Sequence, residues 1–320
     1  MRKKVVCLLG TGHCGSTLLD LLIGSHSQVF SLGEFHSIYR KVREMGKGGN
    51  PRLCVVCQDE CEFWNKQASP FVLNLYYSRK TLLNAVVGKA ARYIYNPYHF
   101  IFKWSGKPVI VDSSKHPGWF RSQFSPRYAA YGIDQYLIYI CRDGRAVVNS
   151  YLRKYPERGV KRITETWMEQ VHSMNAYYDH FPEDRKMKVH YEALASDPEG
   201  TMRTVCERLG LEYESRMLRY WEHEHHHIGG NAGTARMIVK YREQQSQQCN
   251  QEWLEKHKGY FDNQYYERQG LNIKLDERWK SEFSPENLEI FESLAGELNQ
   301  PFIVEPIRTG GNDAVKETAG

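Results

Sequence analysis

Near its start the chain places the apolar run Val5-Val6-Cys7-Leu8-Leu9 directly before Gly10-Thr11-Gly12-His13-Cys14-Gly15-Ser16-Thr17. A run without polar alternation reads as a strand buried on both faces, which is the habit of a parallel sheet. The segment after the glycines, Thr17 to Ile23, is apolar almost all round and reads as a buried helix. Strand, glycine-rich turn and helix in that order turn several backbone N–H groups, and the positive end of a helix, toward one point. An anion is what such a point binds. The spacing is that of a Walker A loop, except that Ser16 stands where that loop requires Lys. Read alone, the glycines could serve a tight turn and nothing more.

Four further segments read as strands: Gln28 to Leu32, Val109 to Val111, Tyr136 to Ile140 and Met187 to His190. Helical patterns separate them. Ala146 to Arg153 follows the fourth strand. Ser196-Asp197-Pro198-Glu199 opens a helix that runs to Leu209 and stops at Gly210, and Ser284-Pro285-Glu286 opens another. Alternating strands and helices predict an α/β fold of P-loop type, with a central, mainly parallel β-sheet flanked by helices on both faces. A single domain over 1–309 is expected, with an aromatic-rich insertion or lid at about 50–106 and a flexible tail over 310–320.

Composition removes several function classes. The net charge of +5 is spread without a dense basic stripe, so no nucleic-acid partner is expected. No apolar run is long enough for a membrane span. Met1-Arg2-Lys3-Lys4 with the following apolar residues is too short for a signal peptide and lacks a cleavage site. Eight cysteines in 320 residues are too few for a disulfide scaffold and suit a reducing, cytoplasmic setting.

The loop His13-Cys14-Gly15-Ser16-Thr17, continuing through Leu18 to Gly33-Glu34, resembles that of sulfotransferases that use 3′-phosphoadenosine-5′-phosphosulfate (PAPS). The likeness is to a bacterial branch similar to the carbohydrate and protein-tyrosine sulfotransferases. A second block, Arg142-Asp143-Gly144-Arg145-Ala146-Val147-Val148-Asn149-Ser150, resembles the family's 3′-phosphate element, an Arg at a strand end and a Ser eight residues on. A guanidinium fork and a hydroxyl near a helix N-terminus suit a phosphate dianion, although Arg-Asp-Gly-Arg alone could be a salt-bridged surface turn. Val111-Asp112-Ser113-Ser114-Lys115, Val189-His190-Tyr191-Glu192-Ala193-Leu194 and His227-Ile228-Gly229-Gly230-Asn231 resemble other family segments. His13 departs from the family's Arg or Lys, and Cys14 from its Ser.

The resemblance implies transfer of a sulfuryl group from PAPS to an acceptor hydroxyl or amine by in-line displacement, with a small-molecule, carbohydrate or peptide acceptor. PAPS is then a co-substrate, and no metal is required. Gly12, His13, Cys14, Gly15, Ser16 and Thr17 would hold the 5′-phosphosulfate. Arg142 and Ser150 would hold the 3′-phosphate, and Tyr191 and Asn231 would contact the nucleotide. Glu34 is the candidate base, at the sheet's C-terminal edge, with His36 as runner-up; Lys115 would stabilise the bridging oxygen. A helix-capping Glu34, a solvated Lys115 and a core Tyr191 are the plainer readings. A P-loop kinase with Val109-Ile110-Val111-Asp112 as its Walker B strand, and an inactive nucleotide-binding relative, are the rivals.

Cys54, Cys57 and Cys61, followed by Phe63-Trp64, offer three thiolates of a zinc site with no fourth ligand apparent. A loop knot, a disulfide or a packing element accounts for them equally, and no metal is assigned. The run Glu222-His223-Glu224-His225-His226-His227 matches no catalytic metal spacing and reads as a helix end leading into a nucleotide-closing segment.

Overall fold

The run Val5–Leu9 is solvent-free along its length and sits in the middle of the sheet, as an uninterrupted apolar strand must. The computed structural model describes residues 2–44, 53–57, 61–68, 82–245 and 270–304. The five strands are β1 (Lys4–Leu9), β2 (Val29–Ser31), β3 (Val109–Asp112), β4 (Asp134–Cys141) and β5 (Lys186–His190), in the order β2-β3-β1-β4-β5. Every pairing is parallel; Val6 lies opposite Val111 on one side and Tyr136 on the other. The expected sheet is therefore present, and entirely rather than mainly parallel.

The main helices are α1 (Ser16–Gly24), α2 (Pro97–Ser105), α3 (Gly144–Lys154), α4 (Val160–Asp179), α5 (Pro198–Leu209), α6 (Ala232–Gln244) and α7 (Pro285–Asn299). Their ends follow from sequence. Asp197 caps α5 by accepting from the Gly200 N–H at 2.9 Å, and Gly210 closes it with φ 63°. Ser284 caps α7 in the same way through Asn287. The 20-residue α4 was not among the expected helices; Ile163, Trp167, Val171 and Met174 bury its inner face.

The expected tail at 310–320 and parts of the expected insertion lie outside the described residues. Other parts of 50–106 belong to the core. Phe63 and Trp64 are buried, and Tyr98 on α2 donates its hydroxyl to Asp112 at 2.6 Å.

Two fully buried carboxylates hold the C-terminal edge of the sheet. Asp112, the last residue of β3, also accepts from the Trp119 indole N–H at 3.0 Å and from Ser114 N–H at 2.8 Å. Asp20, on α1, accepts from Ser31 at 2.6 Å and Ser113 at 2.5 Å, and so ties the helix to the ends of β2 and β3. Burial raises the Asp20 pKa from 3.8 to about 7, against the lowering effect of these hydroxyl donors. Burial likewise raises Glu192 to about 7.

A carboxyl whose folded pKa lies above its unfolded value makes the native chain bind more protons than the unfolded chain between the two values. Stability from Asp20 therefore falls as pH rises from 3.8 to about 7. In Asp20→Asn this decline should be shallower, with the Glu192 contribution of the same sign remaining. Urea denaturation of both proteins at a series of pH values checks it; parallel profiles would refute the assignment.

Candidate active site

Every strand of the sheet delivers residues from its C-terminal end to a common cleft. The loop after β1 brings Gly12, His13, Gly15, Ser16 and Thr17, and the turn after β2 brings Glu34 and His36. Lys115 follows β3, Arg142 and Ser150 follow β4, and Tyr191 follows β5. With Asn231 these residues line a cavity of about 1490 Å³. One of the expected ligands is placed differently. Cys14 is buried beneath the loop, its Sγ 2.7 Å from where a Cβ on Gly10 would sit, so its thiol is a packing group and only its backbone remains for a ligand.

The loop needs its glycines for space and for backbone sign. A Cβ on Gly12 would lie 1.9 Å from the Tyr151 hydroxyl, and one on Gly15, where φ is 92°, would meet the Tyr191 ring at 2.5 Å. Gly15 is the N-cap of α1, and its side-chain-free position leaves the first N–H groups of that helix directed at the cleft. Two non-glycine residues, among those described, have positive φ: His13 at 62° and Lys115 at 61°. Both are in this cleft, where local strain is a feature of functional sites.

His13 does not replace the family's basic residue as a cation. Burial lowers its pKa to about 4, helped by Lys154, Arg142, Lys115 and Arg153, so it is neutral at pH 7. Its ring stands edge-on to Tyr151 at 4.6 Å, and its carbonyl accepts from Arg142 Nη1 at 2.8 Å. The positive charge of the cleft comes instead from the groups that depress it.

The Arg142-Asp143-Gly144-Arg145 turn divides its work. Asp143 caps α3 through the Arg145 N–H and pairs with the Arg145 guanidinium at 2.6 Å, which is the salt-bridged turn of the plainer reading. Asn299 of α7 braces the turn by accepting from Gly144 N–H at 2.7 Å. Arg142 points into the cleft, its guanidinium 4.2 Å from the centre of the Tyr191 ring, and its buried Nε finds no hydrogen-bond partner among the described residues. The expected Arg142–Ser150 pair has further company from Arg153, Asp276 and Arg278. Arg153 lies 3.5 Å from Ser150 Oγ, one helical turn on. Asp276 accepts from Arg278 at 2.8 Å and lies 3.5 Å from Arg142 and 3.9 Å from Arg153. Burial opposes ionisation of Asp276, but Arg278, Arg142 and Arg153 together lower its pKa to about 2.

Glu34 and Lys115 form an ion pair of 2.5 Å across the cleft. Backbone hydrogen bonds place both. Glu34 N–H donates to Ile228 O at 2.6 Å, and His36 N–H donates to Ser114 Oγ at 2.9 Å, which locks the β2 turn to the β3 turn. Segment 228–231 reaches on to α1, where Asn231 N–H donates to Thr17 Oγ1 at 2.9 Å. Burial pushes the Glu34 pKa up, but the Lys115 charge and hydrogen bond prevail and hold it below 4.5. Burial opposes the Lys115 charge, and Glu34 again prevails and raises its pKa. Burial keeps His36 below the usual histidine value. At neutral pH the cleft thus presents an ionised carboxylate, an ammonium and a neutral imidazole.

In Lys115→Met the Glu34 carboxyl keeps its burial and loses its cation. Its titration midpoint should move from below 4.5 to above it. Carbon-detected NMR of the Glu34 carboxyl in both proteins measures this. An unmoved midpoint would show that the pair does not set the charge of Glu34.

The Sulfotransferase family model matches residues 6–215. No curated protein matches the chain. Among solved structures the chain is similar to the sulfotransferase domain of the Synechococcus PCC 7002 olefin synthase, at TM-score 0.57 and 16% identity, over 92% of this chain and 95% of that one. It is also similar to the sulfotransferase domain of the curacin biosynthetic pathway, at TM-score 0.53 and 17% identity, over 93% and 98%. These two likenesses concern the fold; the family match spans the loop, Glu34, Lys115, Arg142, Ser150 and Tyr191 together. The chain belongs to the sulfotransferase family.

Proposed function

We propose that this protein transfers a sulfuryl group from PAPS to an acceptor hydroxyl or amine. The observation that carries the reading is the Glu34–Lys115 pair in the same cavity as the glycine loop and the Arg142 cluster. An anion cradle alone would suit many nucleotides. A carboxylate base and an ammonium beside it supply what in-line displacement at sulfur requires.

The donor's 5′-phosphosulfate fits the backbone N–H groups from Gly12 to Thr17 with the Ser16 and Thr17 hydroxyls, at the N-terminus of α1. The 3′-phosphate fits Arg142, whose Nε has no hydrogen-bond partner among the described residues, with Ser150 and Arg153. In the chemical step the acceptor oxygen forms a bond to sulfur as the bond from sulfur to the 5′-phosphate oxygen breaks. The acceptor proton goes to Glu34, and Lys115 stabilises the negative charge that develops on the leaving oxygen, releasing 3′,5′-diphosphoadenosine. Ser16 occupies the position of the Walker lysine, and Lys115 brings an ammonium to the cleft from a different strand. The acceptor is a small molecule, a carbohydrate or a peptide. The seven described cysteines form no disulfide with one another, and a cytoplasmic setting is part of this reading. Among the described residues, no helix is long and apolar enough to cross a membrane.

Calorimetry should find far tighter binding of 3′,5′-diphosphoadenosine than of AMP, with Arg142→Ala costing roughly 2–4 kcal/mol of the difference. Equal affinities would remove PAPS as donor. With an acceptor found by screening against labelled PAPS, Glu34→Gln should lower turnover by roughly 10²–10⁴ and leave diphosphoadenosine affinity nearly unchanged. An active Glu34→Gln protein would move the base to His36. Turnover should need no added Mg²⁺; phosphoryl transfer from ATP that requires Mg²⁺ would restore the kinase reading.

A further inference from the structure

The sequence offered three cysteines without a fourth ligand, and a histidine run without a partner. The fold joins them. Cys54, Cys57, Cys61 and His226 bring three Sγ atoms and one ring nitrogen within 4.8 Å of one another. Cys61 Sγ lies 3.3 Å and Cys57 Sγ 3.7 Å from His226 Nδ1. Four ligands at zinc distances of about 2.3 Å to sulfur and about 2.0 Å to nitrogen form a tetrahedron with S–N edges of about 3.5 Å. We infer that Cys54, Cys57, Cys61 and His226 bind one zinc ion in a closed structural site, which fastens segment 225–231 to the edge of the sheet beside Glu34. The inference stands independently of the donor and acceptor proposed above.

The surroundings are those of a ligand set. The Cys57 N–H donates to Cys54 Sγ at 3.2 Å, a bond that stabilises a thiolate at the first cysteine of a C-x-x-C turn. His226 Nε2 lies 3.2 Å from a Glu224 carboxylate oxygen, which holds the proton on Nε2 and leaves the Nδ1 lone pair facing the sulfurs. The imidazole plane is held by Phe63, stacked at 5.3 Å, and by Phe30 at 6.0 Å, and the His226 carbonyl accepts from the Trp64 indole at 2.7 Å. Cys54 and Cys61 are essentially solvent-free. Three thiolates and an imidazole select a borderline-soft tetrahedral ion over Mg²⁺ or Ca²⁺. All four positions are filled by the chain, so the ion is structural and has no place for substrate or water.

Its position gives it a purpose. Val55 N–H donates to His227 O at 2.8 Å, and Ile228 is bridged to Gly33, its N–H donating to Leu32 O at 2.8 Å and its carbonyl accepting from Glu34 N–H at 2.6 Å. Asn231 then reaches Thr17. Holding His226 against the cysteines therefore fixes the backbone that receives the Glu34 N–H and touches the phosphate loop.

The test uses untagged full-length protein, purified under reducing conditions without chelator and analysed by inductively coupled plasma mass spectrometry. About one zinc per chain is expected. His226→Ala and Cys57→Ser should lose it on gel filtration, and Glu224→Ala should weaken zinc affinity by about 10-fold or more against a competing chelator. Cobalt-substituted wild type should show tetrahedral d–d bands with thiolate-to-cobalt charge transfer, a readout that needs no variant to fold. His226→Cys should keep the metal with stronger charge transfer. Reduced protein that takes up neither zinc nor cobalt would overturn the site. So would a metal content unchanged in His226→Ala, a predominance of iron over zinc, or a native disulfide among the three cysteines.

Discussion

Parallel strands have their C-terminal ends on one edge, and here that edge carries the candidate site. Because β1 lies between β3 and β4, the chain leaves the centre toward β2 on one side and continues to β4 and β5 on the other. Crevices at such a reversal are where open α/β sheets bind ligands. The glycine loop, Glu34, Lys115, Arg142 and Tyr191 come from positions up to 179 residues apart and meet because each follows a different strand by a few residues. Loosening the sheet at any strand would misplace one of them.

An edge that collects charged groups must also bury polar backbone, and Asp20 and Asp112 satisfy it. Neither carboxylate faces the cleft, yet each collects donors from turns that carry cleft residues. Asp112 receives Ser114 N–H, and Ser114 in turn receives His36 N–H, so one buried acid holds the turns bearing Lys115 and Glu34. Asp20 joins Ser31 and Ser113 at the ends of β2 and β3. A satisfied buried network specifies one arrangement, because its alternatives leave donors orphaned. Lys115 can then occupy a left-handed conformation that an isolated turn would abandon.

The sequence made legible whatever was encoded locally. All five strands were visible as short segments between helical patterns, and the α5 and α7 starts as caps, because a strand or a cap uses adjacent residues. In α4, Ile163, Trp167, Val171 and Met174 recur at helical spacing, but the charged residues between them obscure the pattern in sequence. Arg153 was within reach as well, three residues after Ser150 on the same helix face. Asp276 and Arg278 were not, since their segment has no periodicity to read. The fourth partner of the cysteines was beyond reach for a topological reason. His226 lies 165 residues after Cys61 and meets it only because segment 225–228 returns along the β2 edge, with Gly33 and Cys54 each bridged to Ile228.

The neutral His13 shows how charge in such a site is a property of the cleft and not of one position. A cation on the loop would stand close to Arg142, Arg153, Lys154 and Lys115, and their combined repulsion, added to burial, keeps His13 unprotonated. Asp276 answers the same field from the other side and stays ionised against its burial. Arg142 is held between the two, by the His13 carbonyl and by the backbone carbonyl of Asp276 at 3.0 Å. Those contacts fix the guanidinium plane over Tyr191 and, among the described residues, leave Nε without a hydrogen-bond partner. Preorganising a guanidinium in this way lowers the ordering cost of binding an anion. The loop can therefore give up its own cation, because neighbouring elements supply both the charge and the acid that keeps that charge in place.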